Sequence, residues 1–166
     1  MSQLFKSLAL LILLSGCYSA EKLIETGQYD QAVNKLASRL AGKKKKSRED
    51  VVNLEFAFKK AQERDLSSEA EYLQDDDEVK WERIYSIHTR IEDRQRRVEA
   101  LIPLVSRDGY QASFQFINTS ERKKESKANS ADYFYRSAQR LLDESRKTGE
   151  KRPAREAFDF IQKINN

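Results

Sequence analysis

Residues 20–41, AEKLIETGQYDQAVNKLASRLA, decide the fold. Ala20, Leu23 and Ile24 form a short apolar stripe at helical spacing, and Gly27 follows where a helix end favours positive φ. Asp30 stands where it can cap a second helix, in which Ala32, Val33, Leu36 and Leu40 recur at intervals of three and four. Two amphipathic helices joined by so short a turn fold back on each other to bury their stripes. The whole chain has the composition for more of the same. Charged residues make up 35%, and 166 residues contain only 5 Gly and 2 Pro. The usual charged fraction is about 25%. Long helices with wide solvated faces and a thin core are expected: an all-α fold, an antiparallel bundle of helical hairpins.

Toward the C-terminus, Gly42 and Lys43 to Lys46 make a charged connector. Ser47 and Asp50 have capping-box spacing, with Asp in place of Glu or Gln. A helix is predicted from Arg48 to about Asp65, with Val51, Leu54, Phe58 and Ala61 on one face and Val52 and Phe56 widening it. Ser68 and Glu71 suggest a short, separately capped helix around Tyr72. A long helix then runs from Asp77 to about Ile102. Ile84, Ile91 and Val98 are seven apart, as are Ile87, Arg94 and Leu101, so Arg94 interrupts a seam meant for an antiparallel neighbour. Pro103 ends it.

Asp108-Gly109 marks a turn. Within 110–117, Tyr110, Ala112, Phe114 and Phe116 alternate with mostly polar residues. This period of two fits a short extended segment, or an irregular loop whose aromatics plug the bundle. Residues 119–130 read as a solvated helix or linker. Asn129 can cap a helix from Ala131 to about Lys147, carrying Tyr133, Phe134, Tyr135, Ala138, Leu141 and Leu142. Gly149 ends it, and Pro153 opens a last helix with Ala154, Ala157, Phe158, Ile161 and Ile164.

Toward the N-terminus, one positive residue, Lys6, precedes the apolar run Leu8 to Leu14 and then Ser15-Gly16-Cys17. A charged start, a short apolar stretch and small residues before a cut point describe a secretory signal. The run is well short of the roughly 20 residues needed to cross a bilayer as a helix. Leu14-Ser15-Gly16-Cys17 resembles the bacterial lipobox. That resemblance implies cleavage between Gly16 and Cys17 and a diacylglycerol thioether on Cys17, with acyl chains anchoring the protein to a membrane. Cys17 is the single cysteine, so no internal disulfide can form. The expected organisation is a signal peptide over 1–16, a lipidated tether over 17–19 and one helical domain over 20–166. Loss of residues 1–16 takes away Lys6 and lowers the net charge from +4 to +3. That mild charge on an exported chain argues against nucleic acid as a partner.

The pattern Gly27-x-Tyr29-x-x-Ala32-x-x-x-Leu36 resembles the second helix of a tetratricopeptide repeat. There a small residue lets two helices approach and an aromatic fills the adjoining gap. Ala154, Ala157 and Ile161 fall at the Tyr29, Ala32 and Leu36 spacings, with Ala in place of Tyr and Arg152 in place of Gly. Positions 32 and 157 are 125 apart, which is no multiple of about 34, so the chain is not a simple tandem array. The opening hairpin, the Lys-rich connector, Trp81-x-x-Ile84-Tyr85, Leu101-Ile102-Pro103-Leu104 and the Tyr-rich final hairpin together resemble a family of Bacteroidota lipoproteins with tetratricopeptide-like helices and no settled function. Its members are often longer, which leaves room for a truncated form.

Other clusters have structural readings. His88, the single histidine, sits beside the seam with no His or Cys companions for a metal. Asp75 to Asp77 and Glu78 lack the alternating ligands and distal Glu of an EF-hand and suit a helix N-terminus. Lys43 to Lys46 form a solvated connector or touch lipid headgroups. Trp81, Tyr85, Tyr133, Phe134 and Tyr135 pack the bundle or line a groove. No nucleophile–base pair, phosphate loop or metal spacing appears. The sequence is therefore read as a non-enzymatic, cofactor-free scaffold of the bacterial envelope that binds another envelope protein. An envelope carbohydrate-active or other hydrolase, or a solute-binding lipoprotein, is the alternative. Tyr18 rather than Asp after Cys17 favours, by resemblance to enterobacterial sorting, the outer membrane facing the periplasm.

Overall fold

Ser19 opens the first helix: its side-chain oxygen accepts a hydrogen bond from the Lys22 backbone N–H at 3.1 Å. The computed structural model describes residues 19–165, with no side-chain account of Asn165. Gly16, Cys17 and the expected signal peptide therefore lie outside the described residues. Helix α1 (Ala20–Glu25) ends at Thr26, and Gly27 turns the chain at φ 72°. Helix α2 (Tyr29–Leu40) runs back along it. Then come α3 (Arg48–Leu73), α4 (Lys80–Glu99), α5 (Ser120–Thr148) and α6 (Lys151–Asn165). Each helix packs on the next, and α1 also meets α3 and α2 meets α4. The fold is all-α, and the described residues contain no strand.

The main core lies among α1, α2, α3 and the end of α4. Ala20, Leu23, Ala32, Val33, Leu36 and Leu40 meet Val51, Leu54, Phe58, Val98 and Leu104. Ala32 and Leu36 are fully buried, as the apolar stripe requires. Burying one such Leu side chain contributes roughly 1.5–3 kcal/mol. A smaller cluster joins Ala138 and Leu141 of α5 to Ala157 of α6, with Leu142 and Phe160 against it. The seam residues Ile84, Ile91 and Val98 are all fully buried.

Several boundaries differ from the sequence reading. No separate helix begins at Ser68, because α3 continues to Leu73. Asp65 and Glu69, one turn apart, are buried in ion pairs with α4 and α5 and hold this stretch in register. Asn129 is not a cap; it lies inside α5, which already starts at Ser120. The polar stretch 119–130 stays helical because its small residues face the stack. Ser126 is fully buried, with its hydroxyl donating to the Arg122 carbonyl at 2.6 Å. Asp30 does not cap α2 either, whose N-cap is Gln28 without a side-chain bond. Helix α4 is shorter than expected, starting at Lys80 and stopping at Glu99, before Pro103.

Of the two readings of 110–117, the loop prevails. An isolated bridge pairs Val105 with Gln111, and no ladder follows. Phe114 and Phe116 meet Phe58 edge-on, with ring centroids 5.3 and 5.8 Å away. The Gln95 side chain clasps the Ile117 backbone from both sides, at 2.8 and 3.0 Å. The Tyr110 hydroxyl donates to Glu55, which also accepts from the Ser113 N–H at 3.1 Å.

Candidate functional site

Helix α4 carries two arginines one turn apart, Arg90 and Arg94, on the side that faces α2 and α3. Arg94 is the residue that interrupts the heptad seam, and its side chain is 2% exposed. It binds Asp65 of α3 directly and Asp30 of α2 through Nε at 2.9 Å. Arg90 Nη2 lies 2.7 Å from the same Asp65 carboxylate. Arg64 of α3 closes the set, with Nη2 2.6 Å from Asp30 and 2.9 Å from Asp65. Three guanidinium groups thus share two carboxylates, leaving one excess positive charge. Burial by itself pushes the Asp65 carboxyl up. The hydrogen bond from Arg90 and the charge of Arg94 outweigh that and hold it below the ordinary carboxylate range.

Beside this centre a groove of about 640 Å³ opens between α2 and α4, with Asn34, Thr89, Arg94 and Arg97 in its lining. Arg94 Nη1 and Thr89 Oγ1 are buried without a hydrogen-bond partner among the described residues. A smaller cavity of about 250 Å³ lies between α4, α5 and α6, lined by Tyr85, Lys127, Ser130, Phe134 and Lys163 among others. Its Ser130 hydroxyl is also buried and unpartnered. Glu82 and Tyr85 line both hollows, which are therefore neighbours, the larger arginine-rich and the smaller aromatic. Lys163 sits 3.2 Å from Glu82 and 5.1 Å from the centroid of the Phe134 ring.

The sequence-predicted residues scatter over this frame. Tyr85 and Phe134 come together in the smaller cavity. Tyr133 packs edge-on against Phe160, Tyr135 is 55% exposed, and Trp81 lies half-buried under Lys80. Tyr29 is half-buried at the α1–α2 turn. The terminal pair departs from its expected equivalence to Ala32 and Leu36. Ala157 is fully buried, but Ile161 is 39% exposed, because the backbone of α6 packs along α5 and α6 reaches α4 through the Lys163–Glu82 ion pair.

His88 is buried, with Nε2 2.9 Å from Glu69 Oε2, off the line of a hydrogen bond. The Arg122 guanidinium occupies the other Glu69 oxygen at 2.8 Å, so a cation placed there would meet a positive charge. Asp75 and Asp77 accept backbone N–H bonds from Asp77 and Val79 at 3.0 Å each, forming the turn into α4. No group of three or more His, Cys, Asp or Glu among the described residues is placed to hold a metal. No described helix is long and apolar enough to cross a membrane. Sequence reasoning missed Asp65 and treated Asp30 as a cap and Arg94 as a flaw. The available signal was a charged residue in a buried heptad position, which requires a buried partner.

No protein-family model matches the chain, and no curated protein or solved structure is similar to it.

Proposed function

We propose that this chain is a lipid-anchored, non-catalytic scaffold of the bacterial cell envelope. Diacylglycerol on Cys17 tethers it, and the α2–α4–α6 side holds an extended segment of another envelope protein. The observation that carries the reading is the pair of neighbouring hollows that share Glu82 and Tyr85 in their linings. Arg94 and Thr89 in the lining of the larger one carry buried polar atoms with no partner among the described residues, which suits carbonyl or carboxylate oxygens, and the smaller is an aromatic cavity for one apolar side chain. Backbone carbonyls of an extended chain fit the first, and alternate side chains fit the second. Stacked hairpins of the tetratricopeptide-like kind suggested by Gly27 to Leu36 present such surfaces.

A non-catalytic role accords with the groove's acids. Asp30 is held by Arg64 and Arg94, Glu82 by Lys163 and Asp93 by Arg96. The expected location is the periplasmic face of the outer membrane, with neither nucleic acid nor cofactor involved.

Two measurements test this. Cells fed labelled palmitate should label the native chain and not Cys17→Ala; equal labelling of both removes the anchor. A photo-crosslinking residue at Tyr85 should trap one defined envelope polypeptide, whereas the same residue at Lys59 should not. Identical adduct patterns from both positions would contradict the groove.

A further inference from the structure

Five segments converge at one end of the molecule. Glu21, in the first turn of α1, feels the charge of Arg39 near the end of α2. Arg39 binds Asp50 in the first turn of α3 at 2.6 Å. Between them, residues 41–47 carry Lys43 to Lys46. The loop after α4 returns to the same place: the Arg107 N–H donates to the Lys46 carbonyl at 2.8 Å, and Arg48 binds Asp108 at 2.7 Å. The chain also enters its first helix here, at Ser19. Cys17, outside the described residues, precedes Ser19 by two positions in the sequence.

This end is basic and also apolar. Lys43, Lys44, Lys45 and Arg107 are exposed, and no carboxylate among the described residues pairs with them. Two of the four acids nearby are spent, Asp50 on Arg39 and Asp108 on Arg48 and Ser106, which leaves Glu21 and Glu49 against the four exposed cations. In the returning loop, Leu104 and Ser106 turn inward while Ile102, 47% exposed, and Val105, 40% exposed, turn outward.

We propose that this end is a docking surface for an anionic lipid bilayer, in which Lys43, Lys44, Lys45 and Arg107 face headgroups and Ile102 and Val105 enter the interface. The proposal rests on the anchored reading above, since an attachment point at Cys17 puts this end next to the membrane. Cations near an anionic leaflet and shallow apolar side chains act together in such binding. A lipid chain would then fix the attachment, and this surface would fix the orientation, with the Glu82–Tyr85 groove along the side of the stack.

The test uses the chain from residue 17 onward carrying Cys17→Ala, so that no lipid can attach. It is cosedimented with vesicles of phosphatidylcholine alone or mixed with phosphatidylglycerol. Binding is expected to the mixed vesicles only, and to vanish in about 1 M salt, where the Debye length is about 3 Å. Each cation contributes roughly a fivefold increase in partitioning. The variant Lys43→Gln/Lys44→Gln/Lys45→Gln should therefore bind about 100-fold more weakly. Ile102→Ser/Val105→Ser should weaken binding with the salt dependence unchanged. Lys147→Gln/Lys151→Gln, at the α5–α6 turn, should bind as the parent does. Circular dichroism confirms that each variant is folded. No binding to mixed vesicles, equal binding to neutral ones, or preference for soluble polyphosphate over vesicles would overturn the proposal. Palmitate labelling of the native chain reads the anchor separately, so either idea can fail alone.

Discussion

Replacing Asp65 with Asn keeps the shape of the side chain and removes its charge. In the folded protein Asp65 is fully buried and receives Arg94, Arg90 and Arg64. The Asn variant leaves Asp30 alone to balance three guanidiniums, one of them buried. Breaking a buried pair by removing one partner costs about 3–5 kcal/mol, against a total stability of about 5–15 kcal/mol for a domain of this kind. The described body has 147 residues, which at roughly 2.1 cal/mol/K per residue gives a fall in Tm of about 10–16 °C. Urea unfolding followed by circular dichroism at neutral pH measures it, and the m-value should not change. The double replacement Asp65→Leu/Arg94→Met removes both charges and should recover most of the loss. A cost below about 1 kcal/mol for Asp65→Asn would show that the pair behaves as an exposed one and would refute the buried-network argument.

The same carboxylate sets an acid limit. Its folded-state pKa is lowered, after the arginines overcome the upward push of burial. Such a group stabilises the fold above its unfolded pKa of about 3.9, and that contribution disappears as pH falls through the lower folded value. The gap between parent and Asp65→Asn should therefore be full at pH 6 and shrink below about pH 4.

Three further outcomes follow from particular contacts. Leu36→Ala, in the main core, should cost about 2–5 kcal/mol, whereas Ile161→Ala on the open face of α6 should cost under about 1 kcal/mol; parity in thermal denaturation would contradict the packing described for α6. The Asp108 carboxyl, hydrogen-bonded by Ser106 and then Arg48, is pulled down to about 2. An NMR titration should place its midpoint there and Ser106→Ala should raise it toward 3.8, so a midpoint near 4 in the parent argues against the turn geometry. Gly149 closes α5 at φ 75°, so Gly149→Ala should lose about 1 kcal/mol and Gly149→Asn less.

What the sequence shows plainly is what local periodicity controls. The hairpin 20–41, the Gly27 turn and the seam Ile84–Ile91–Val98 lie where their spacing puts them, because each depends on one helix's own geometry. The misread features depend on partners far along the chain. Ser68 and Asn129 look like helix starts because both residue types favour caps. In the structure, Glu69 beside Ser68 is held by Arg122 of α5, and Ser126 and Ser130 near Asn129 let α5 lie close to its neighbours. Asp30 likewise has the right type and place for a cap, but two arginines from α3 and α4 claim it. The groove was the least legible feature, since Tyr85 and Phe134 are 49 positions apart and nothing local shows that they meet.

Arg94 explains why a costly polar centre sits in an otherwise apolar seam. Ile84, Ile87, Ile91, Val98 and Leu101 recur so regularly that sliding α4 by one heptad, about 10.5 Å, would present nearly the same apolar edge to α3. That slip would place Ile87 or Leu101 where Arg94 now stands and strand the Asp65 and Asp30 carboxylates against hydrocarbon. Buried polar residues are best attested in this role of setting register. The stable Asp65→Leu/Arg94→Met protein should therefore lose uniqueness rather than helix content. Its far-UV spectrum should match the parent's, while amide resonances of α4 broaden or double. A single sharp set of α4 resonances in that variant would show that the seam chooses its register without the charges.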